Sequence, residues 1–228
     1  MTHRPKLRPP QLDARLQALA NRVPRCALAA DIGADHGRLA CWLLGQGVCD
    51  RMIVSDISAD SLNKAQRLIR RHGLQDRADF VVADGLAALN AAVDVVVIAG
   101  LGGATIAEML ADHVRAGQAR LVISAQTETV KVRRALAGHG YTLEREDVVL
   151  ASGRYYTVIT AHRAHADYTS RQLAIGPTLR STDSARVEDY LLWRKGVLSA
   201  RRDRQSEQEL IWLSEEIERA KSNQPTDL

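Results

Sequence analysis

Three acids close three apolar runs: Asp31 ends C-A-L-A-A-D (26–31), Asp56 ends R-M-I-V-S-D (51–56) and Asp84 ends F-V-V-A-D (80–84). At the carboxyl end of a buried strand, a carboxylate faces the crevice where open α/β sheets take their ligands. There it accepts hydrogen bonds from ribose hydroxyls or an adenine amino group. A single acid of this kind can equally cap the next helix, as Asp56 ahead of Ser58 would. Three of them around one crevice describe a nucleoside site. Between the first run and the following helix lies A-D-I-G-A-D-H-G (30–37), where Gly33 and Gly37 turn the chain and bring backbone N–H groups close to a ligand. The spacing is not the G-x-G-x-x-G of a dinucleotide site, and Asp35 stands where a middle glycine is expected. Asp31 and Asp35 would repel a pyrophosphate and attract a cationic ligand such as S-adenosylmethionine. The fourth run ends in I-A-G-L-G-G (98–103), three glycines in four positions, whose backbone can lie against a ligand. It is not the D/N-P-P-Y/F signature of methylation at a base amino group.

These acids and glycines need a scaffold that delivers them to one edge. The pattern supplies a short helix bearing Leu12, Leu16 and Leu19, then alternating strands and helices: strands at 26–31, 51–56, 80–84, 93–99 and 120–125, and helices at 36–46, 58–72, 105–114 and 127–137. Two strand-like segments, 141–150 and 155–160, join through Ala151-Ser152-Gly153 at the spacing of an antiparallel pair. The expected fold is α/β: a Rossmann-like, mostly parallel seven-stranded sheet with one antiparallel strand, covered by helices on both faces. Beyond Gly176-Pro177, apolar residues from Val187 to Ile217 recur at helical intervals. They describe a helical appendage, as a hairpin bending near Arg202 to Ser206 or as one long helix. The tail 222–228 reads as disordered. The division is 1–162 for the α/β domain and 163–228 for the helical one.

With 46% hydrophobic and 25% charged residues, the composition is that of a globular protein. The apolar stretch 95–107 is too short to span a bilayer, and the basic N-terminus lacks the apolar core of a secretory signal. Cys26, Cys41 and Cys49 form no C-x-x-C pair and read as thiols of a reducing cytosol, with no metal site. The net charge is +4, and the excess lies in residues 1–25, which hold six Lys/Arg against Asp13. A second cluster is Arg194, Lys195, Arg201, Arg202 and Arg204. Two basic patches beside a neutral core suit a polyanion such as RNA, or are two solvated surfaces. Aromatic residues for base stacking are scarce: Phe80 is the one Phe, and Tyr155 and Tyr156 fall on a strand where core packing claims them.

Taken together, A-D-I-G-A-D-H-G, S-D-I, A-D-G-L, V-I-A-G-L-G-G and G-R-Y-Y-T-V-I resemble the TrmK family of bacterial tRNA adenine N1-methyltransferases. The similarity runs from about Leu12 into the helical tail. It implies a cytoplasmic enzyme that methylates N1 of adenosine 22 in tRNA with S-adenosylmethionine, needs no metal or membrane, and is a monomer or a weak dimer through its tail. By that resemblance Asp31, Ile32, Gly33, Asp35 and His36 line the methionine end. Asp56 and Ile57 hold the ribose, Asp84 and Gly85 the adenine, and Ala99, Gly100, Leu101, Gly102 and Gly103 form the floor beside the methyl group. Asp35 and His36 are the catalytic candidates, placed to stabilise the cationic product. Two positions depart from the family pattern: A-Q-T (125–127) replaces Q-P-N, and Arg38-Leu39-Ala40 lacks a proline, both on the expected acceptor side. Competing readings are a small-metabolite methyltransferase, a catalytically silent RNA- or protein-binding relative, and a tail that docks a protein through apolar seams near Trp193 and Trp212.

Overall fold

A computed structural model describes residues 8–180, 184–200 and 204–222. Eight strands form one sheet: β1 (Cys26–Ile32), β2 (Cys49–Asp56), β3 (Ala78–Val82), β4 (Val95–Ala99), β5 (Arg120–Ser124), β6 (Tyr141–Ala151), β7 (Arg154–Arg163) and β8 (Leu179–Arg180). Their order is β3-β2-β1-β4-β5-β7-β6-β8. The first five run parallel, and β7 is antiparallel to both β5 and β6. The seven expected strands are present, joined by the two-residue β8 lying parallel to β6. The order reverses between β1 and β4, which opens a crevice at their carboxyl ends.

Buried strands alternate between two cores. Ala30, Ile32, Val96 and Ile98 face α4 (Gly103–Met109) and α5 (Thr129–Gly138). Ala29, Val54, Val95 and Val97 face α1 (Ala14–Ala20), α2 (Arg38–Gly45) and α3 (Ala59–Arg71). This is why the strands read as continuous apolar runs: both faces are covered. Ser58 caps α3, its hydroxyl accepting the Ser61 N–H at 3.2 Å. Helix α2 begins at Arg38 instead of His36, because Gly33, Asp35 and Gly37 all have left-handed φ values (71°, 47° and 65°) that keep 33–37 a loop. The helix expected at 105–114 ends as α4 at Met109 and continues as a 3-10 segment, Leu110–Ala116. All three cysteines are free, with the Cys26 and Cys49 Sγ atoms 3.2 Å apart across β1 and β2.

The appendage comprises α6 (Ser170–Ile175), α7 (Ser184–Ser199) and α8 (Arg204–Ser222). Helices α7 and α8 pack together through Tyr190, Leu191, Leu198, Leu213 and Ile217, with Val148 of β6 joining the cluster. The tail is therefore two helices, not one; of the bend expected at 202–206, residues 204–206 begin α8, while 202–203 and the tail end 223–228 lie outside the described residues. Arg133 on α5 and Glu146 on β6, both fully buried, pair at 2.6 Å. Arg133 also donates to the Leu173 and Ala174 carbonyls, and Arg194 to those of Ala174 and Ile175. Two guanidinium groups thus satisfy the last carbonyls of α6 and tie it to the sheet. This corrects the reading of Arg194 as part of a solvent-facing phosphate cluster: it is 8% exposed and committed to backbone oxygens.

Candidate functional site

The crevice is a cleft of about 1050 Å³ at the carboxyl ends of β1, β2, β3 and β4. Four carboxylates reach it, each from a different position. Asp31 lies one residue before the end of β1 and is 4% exposed. Burial, and secondly the Asp56 charge, push its carboxyl up to about 7. Asp56 ends β2; its Oδ2 accepts the Asp35 N–H at 2.9 Å and its Oδ1 the Ser58 N–H at 2.8 Å. Asp56 thus braces the 33–37 loop and the Ser58 that caps α3, without capping the helix itself, and each oxygen keeps a second lone pair for a ligand. Asp84 follows β3, is exposed to the cleft and makes no capping bond to the 3-10 turn behind it. Asp35 is exposed, with its Oδ2 2.5 Å from His36 Nδ1. Its φ of +47° explains the missing glycine of the motif, since aspartate is one of the few residues that enter the left-handed region readily.

Of the expected site residues, the cleft gathers Asp31, Ile32, Gly33, Asp35, His36, Asp56, Ile57, Asp84, Gly85, Ala99, Gly100 and Leu101. Gly100 has φ +83° with open space where a Cβ would stand, as a wall meant for close ligand approach requires. Gly102 and Gly103 are not on the cleft wall. Gly102 is the N-cap of α4, and a Cβ there would sit 3.4 Å from Thr127 Oγ1. At Gly103 a Cβ would come within 2.5 Å of the Thr127 carbonyl, so this glycine serves the packing of α4 against the β5–α5 loop.

Sequence reasoning missed the opposite rim. Lys64, Arg67 and Arg71 line the cleft from α3, with Arg15 of α1 and Arg38 of α2. The three α3 cations recur at intervals of three and four, a helical stripe that could have been found from spacing alone. Arg15 Nη1 is buried without a hydrogen-bond partner, and the guanidinium lies 5.5 Å over the Tyr156 ring. Of the other expected phosphate contacts, Arg22 is paired with Asp147 at 2.5 Å, and Arg4, Lys6, Arg201 and Arg202 lie outside the described residues. Among the described residues no group of three or more His, Cys, Asp or Glu could hold a metal ion. No described helix is long and apolar enough to cross a membrane.

An open α/β sheet with acids at successive strand ends, a glycine wall and a cationic rim defines a Rossmann-like protein that takes a nucleoside-bearing cationic ligand. Residues 12–159 match the family described as "Methyltransferase domain". A putative tRNA methyltransferase of Mycoplasma pneumoniae is 34% identical over 185 residues, covering 77% of this chain and 85% of the relative. The tRNA (adenine(22)-N(1))-methyltransferase of Bacillus subtilis is 29% identical over 184 residues, 77% of each chain. A crystal structure of a putative tRNA (m1A22) methyltransferase from Streptococcus pneumoniae, in complex with S-adenosyl-L-methionine, superposes with a TM-score of 0.80. It is 23% identical and covers 90% of this chain and 99% of that one. The chain belongs to this methyltransferase family, as its motifs implied.

Proposed function

We propose that this chain methylates N1 of adenosine 22 in tRNA, using S-adenosyl-L-methionine. The observation that carries the reading is the acid-lined cleft at the sheet's switch point, in a chain whose relatives are named for that reaction. The donor set fits the cofactor. Asp56 would hold the ribose and Asp84 the adenine amino group. Asp31 and the 33–37 loop would face the ammonium, and the unpartnered Arg15 nitrogen the carboxylate. Bound there, S-adenosylmethionine supplies a methyl carbon on a cationic sulfur, with a neutral thioether as the leaving group. Adenine N1 offers an in-plane lone pair and carries no proton to remove, so the protein's work is orientation and exclusion of water. The methylated base is cationic, and the Asp35–His36 pair lining the cleft would offer a carboxylate to that charge.

Residues 1–162 would carry this chemistry and 163–228 would extend the RNA contact. The stripe Lys64, Arg67 and Arg71, with Arg38, gives a phosphate backbone a path along the rim of the same cleft. A paired target base must leave its stack to enter. The test is transfer of a labelled methyl group into unmodified tRNA, followed by nucleoside digestion. N1-methyladenosine from wild-type tRNA, and none when adenosine 22 is replaced by guanosine, is the expected result. Label in a small metabolite, or at another nucleoside, would refute it.

A further inference from the structure

A second cavity, of about 320 Å³, lies between the β5–α5 loop, β7 and the helical appendage. Gln126 lines both this cavity and the acid-lined cleft, so the two are neighbours across one loop. Its apolar side is aromatic. Tyr155 and Trp193 have ring centroids 5.9 Å apart and both line the space, with Tyr190 stacked on Trp193 at 6.2 Å. Tyr155, expected from its strand pattern to pack in the core, does pack against the cluster joining β6 to the appendage and also borders this cavity.

The polar side is equally specific. Thr157 is 1% exposed, lines the cavity, and its hydroxyl has no hydrogen-bond partner. A buried hydroxyl left unpaired costs roughly 1–3 kcal/mol, so an unpaired one in a cavity wall points to a partner that arrives from outside. The ten-residue helix α5 also opens onto the space. Its N-cap, Glu128, has φ +51° and makes no side-chain cap, so the first N–H groups of α5 are not capped by its side chain. Arg154 stands at the rim toward the first cleft, its Nη2 donating to the Gln126 carbonyl at 2.9 Å.

We propose that this cavity receives one unstacked nucleotide of the RNA chain, next to the nucleotide being methylated. Its base would lie on Tyr155 and Trp193 and hydrogen-bond to Thr157, with its phosphate toward the α5 N-terminus and Arg154. The chemistry calls for such a ligand: aromatic faces take any base by stacking, a lone hydroxyl reads its edge, and a helix N-terminus with an arginine takes the phosphate. The volume is near the lower end of the ~300–1,000 Å³ of small-molecule sites, enough for a single nucleotide. The inference rests on the tRNA reading above and adds a second anchoring point to it.

Two variants probe the cavity without touching the cofactor cleft. Thr157→Val removes the hydroxyl and keeps the shape, and Val197→Trp fills the space from a residue that is 43% exposed. For each, melting temperature, S-adenosylmethionine affinity, and kcat and KM for tRNA are measured on the full chain. Val197→Trp should raise the tRNA KM about tenfold, the scale of one lost base stack. Thr157→Val should raise it severalfold, with cofactor affinity and kcat unchanged and the ligand-free melting temperature slightly higher, since the unpaired hydroxyl is gone. An interdomain gap with no ligand predicts no change in the tRNA KM of either variant; that outcome overturns the proposal. As a direct probe, the protein saturated with S-adenosylhomocysteine is titrated with adenosine 5′-monophosphate and followed by NMR. Saturable shifts at Thr157, Thr129 and the Trp193 indole support the site, and their absence overturns it. If wild-type protein methylates no tRNA, the tRNA reading fails and this titration alone decides the cavity.

Discussion

Asp31 gives the cleft a pH dependence. Its carboxyl is raised to about 7, by burial first and Asp56 second, whereas in an unfolded chain it ionises near 4. Between about pH 4 and 7 the folded state therefore holds more protons than the unfolded one, so stability falls as pH rises through that window. Asp31→Asn should abolish this contribution, seen as a melting temperature that declines less between pH 5 and 7. Cofactor binding has the opposite sign, because an ammonium favours the ionised carboxylate. Affinity for S-adenosylmethionine should weaken by up to about tenfold per pH unit below 7, and calorimetry should find that dependence flattened and the affinity lowered in Asp31→Asn. Asp56→Ala should cost about 1.5–3 kcal/mol of cofactor affinity, the scale of charge-assisted hydrogen bonds. It should also lower the melting temperature of the ligand-free protein, since the Asp35 and Ser58 N–H groups lose their acceptor. Unchanged affinity would remove Asp56 from the site.

At the scale of elements, two contacts decide how the parts meet. Gly103 allows α4 to start against the Thr127 carbonyl, so Gly103→Ala should destabilise the protein by about 2 kcal/mol or more through overpacking. Gly102→Val, by contrast, places its Cβ 3.4 Å from Thr127 Oγ1 and should leave the fold intact. Denaturant melts of the two variants separate these outcomes. The buried Arg133–Glu146 pair joins α5, β6 and α6. Glu146→Ala leaves a guanidinium without its counter-charge in a dry site and should cost about 3–5 kcal/mol. Replacing both partners with Met and Leu should cost much less in the same urea titration, because no charge is then stranded.

For the whole molecule, the charge distribution would set how RNA is met under the proposed function. Acids sit at the strand ends and cations on α1, α2 and α3 across one cleft, so a cationic cofactor and a polyanionic substrate can share it. If about four phosphates are engaged, tRNA affinity should fall roughly a hundredfold between 50 and 200 mM salt, while cofactor affinity changes far less. Replacing Lys64, Arg67 and Arg71 with Gln should flatten that slope and weaken different tRNAs alike. A flat salt dependence in the wild type would refute a phosphate-led approach. Replacing Arg194 tests the corrected role of that residue: it should loosen the appendage in a thermal melt and leave the salt slope unchanged.

The sequence by itself determined the sheet, the alternation of elements and the identity of the acids, because these depend on local period. A strand buried on both faces must be apolar along its length, so the residue that breaks the run at its end stands out, as Asp31, Asp56 and Asp84 do. The loop signature A-D-I-G-A-D-H-G was legible for the same reason, since left-handed turns select Gly and Asp. Tertiary structure alone decided which charges meet solvent. Arg194 and Lys195 are neighbours in sequence, yet one is buried on α6 carbonyls and the other is exposed. It also decided that Gly103 serves packing, that Tyr155 borders a cavity, and that Lys64, Arg67 and Arg71 share a cleft with Asp56 and Asp84. Each of these depends on contacts between residues far apart in the chain, and local period carries no information about them.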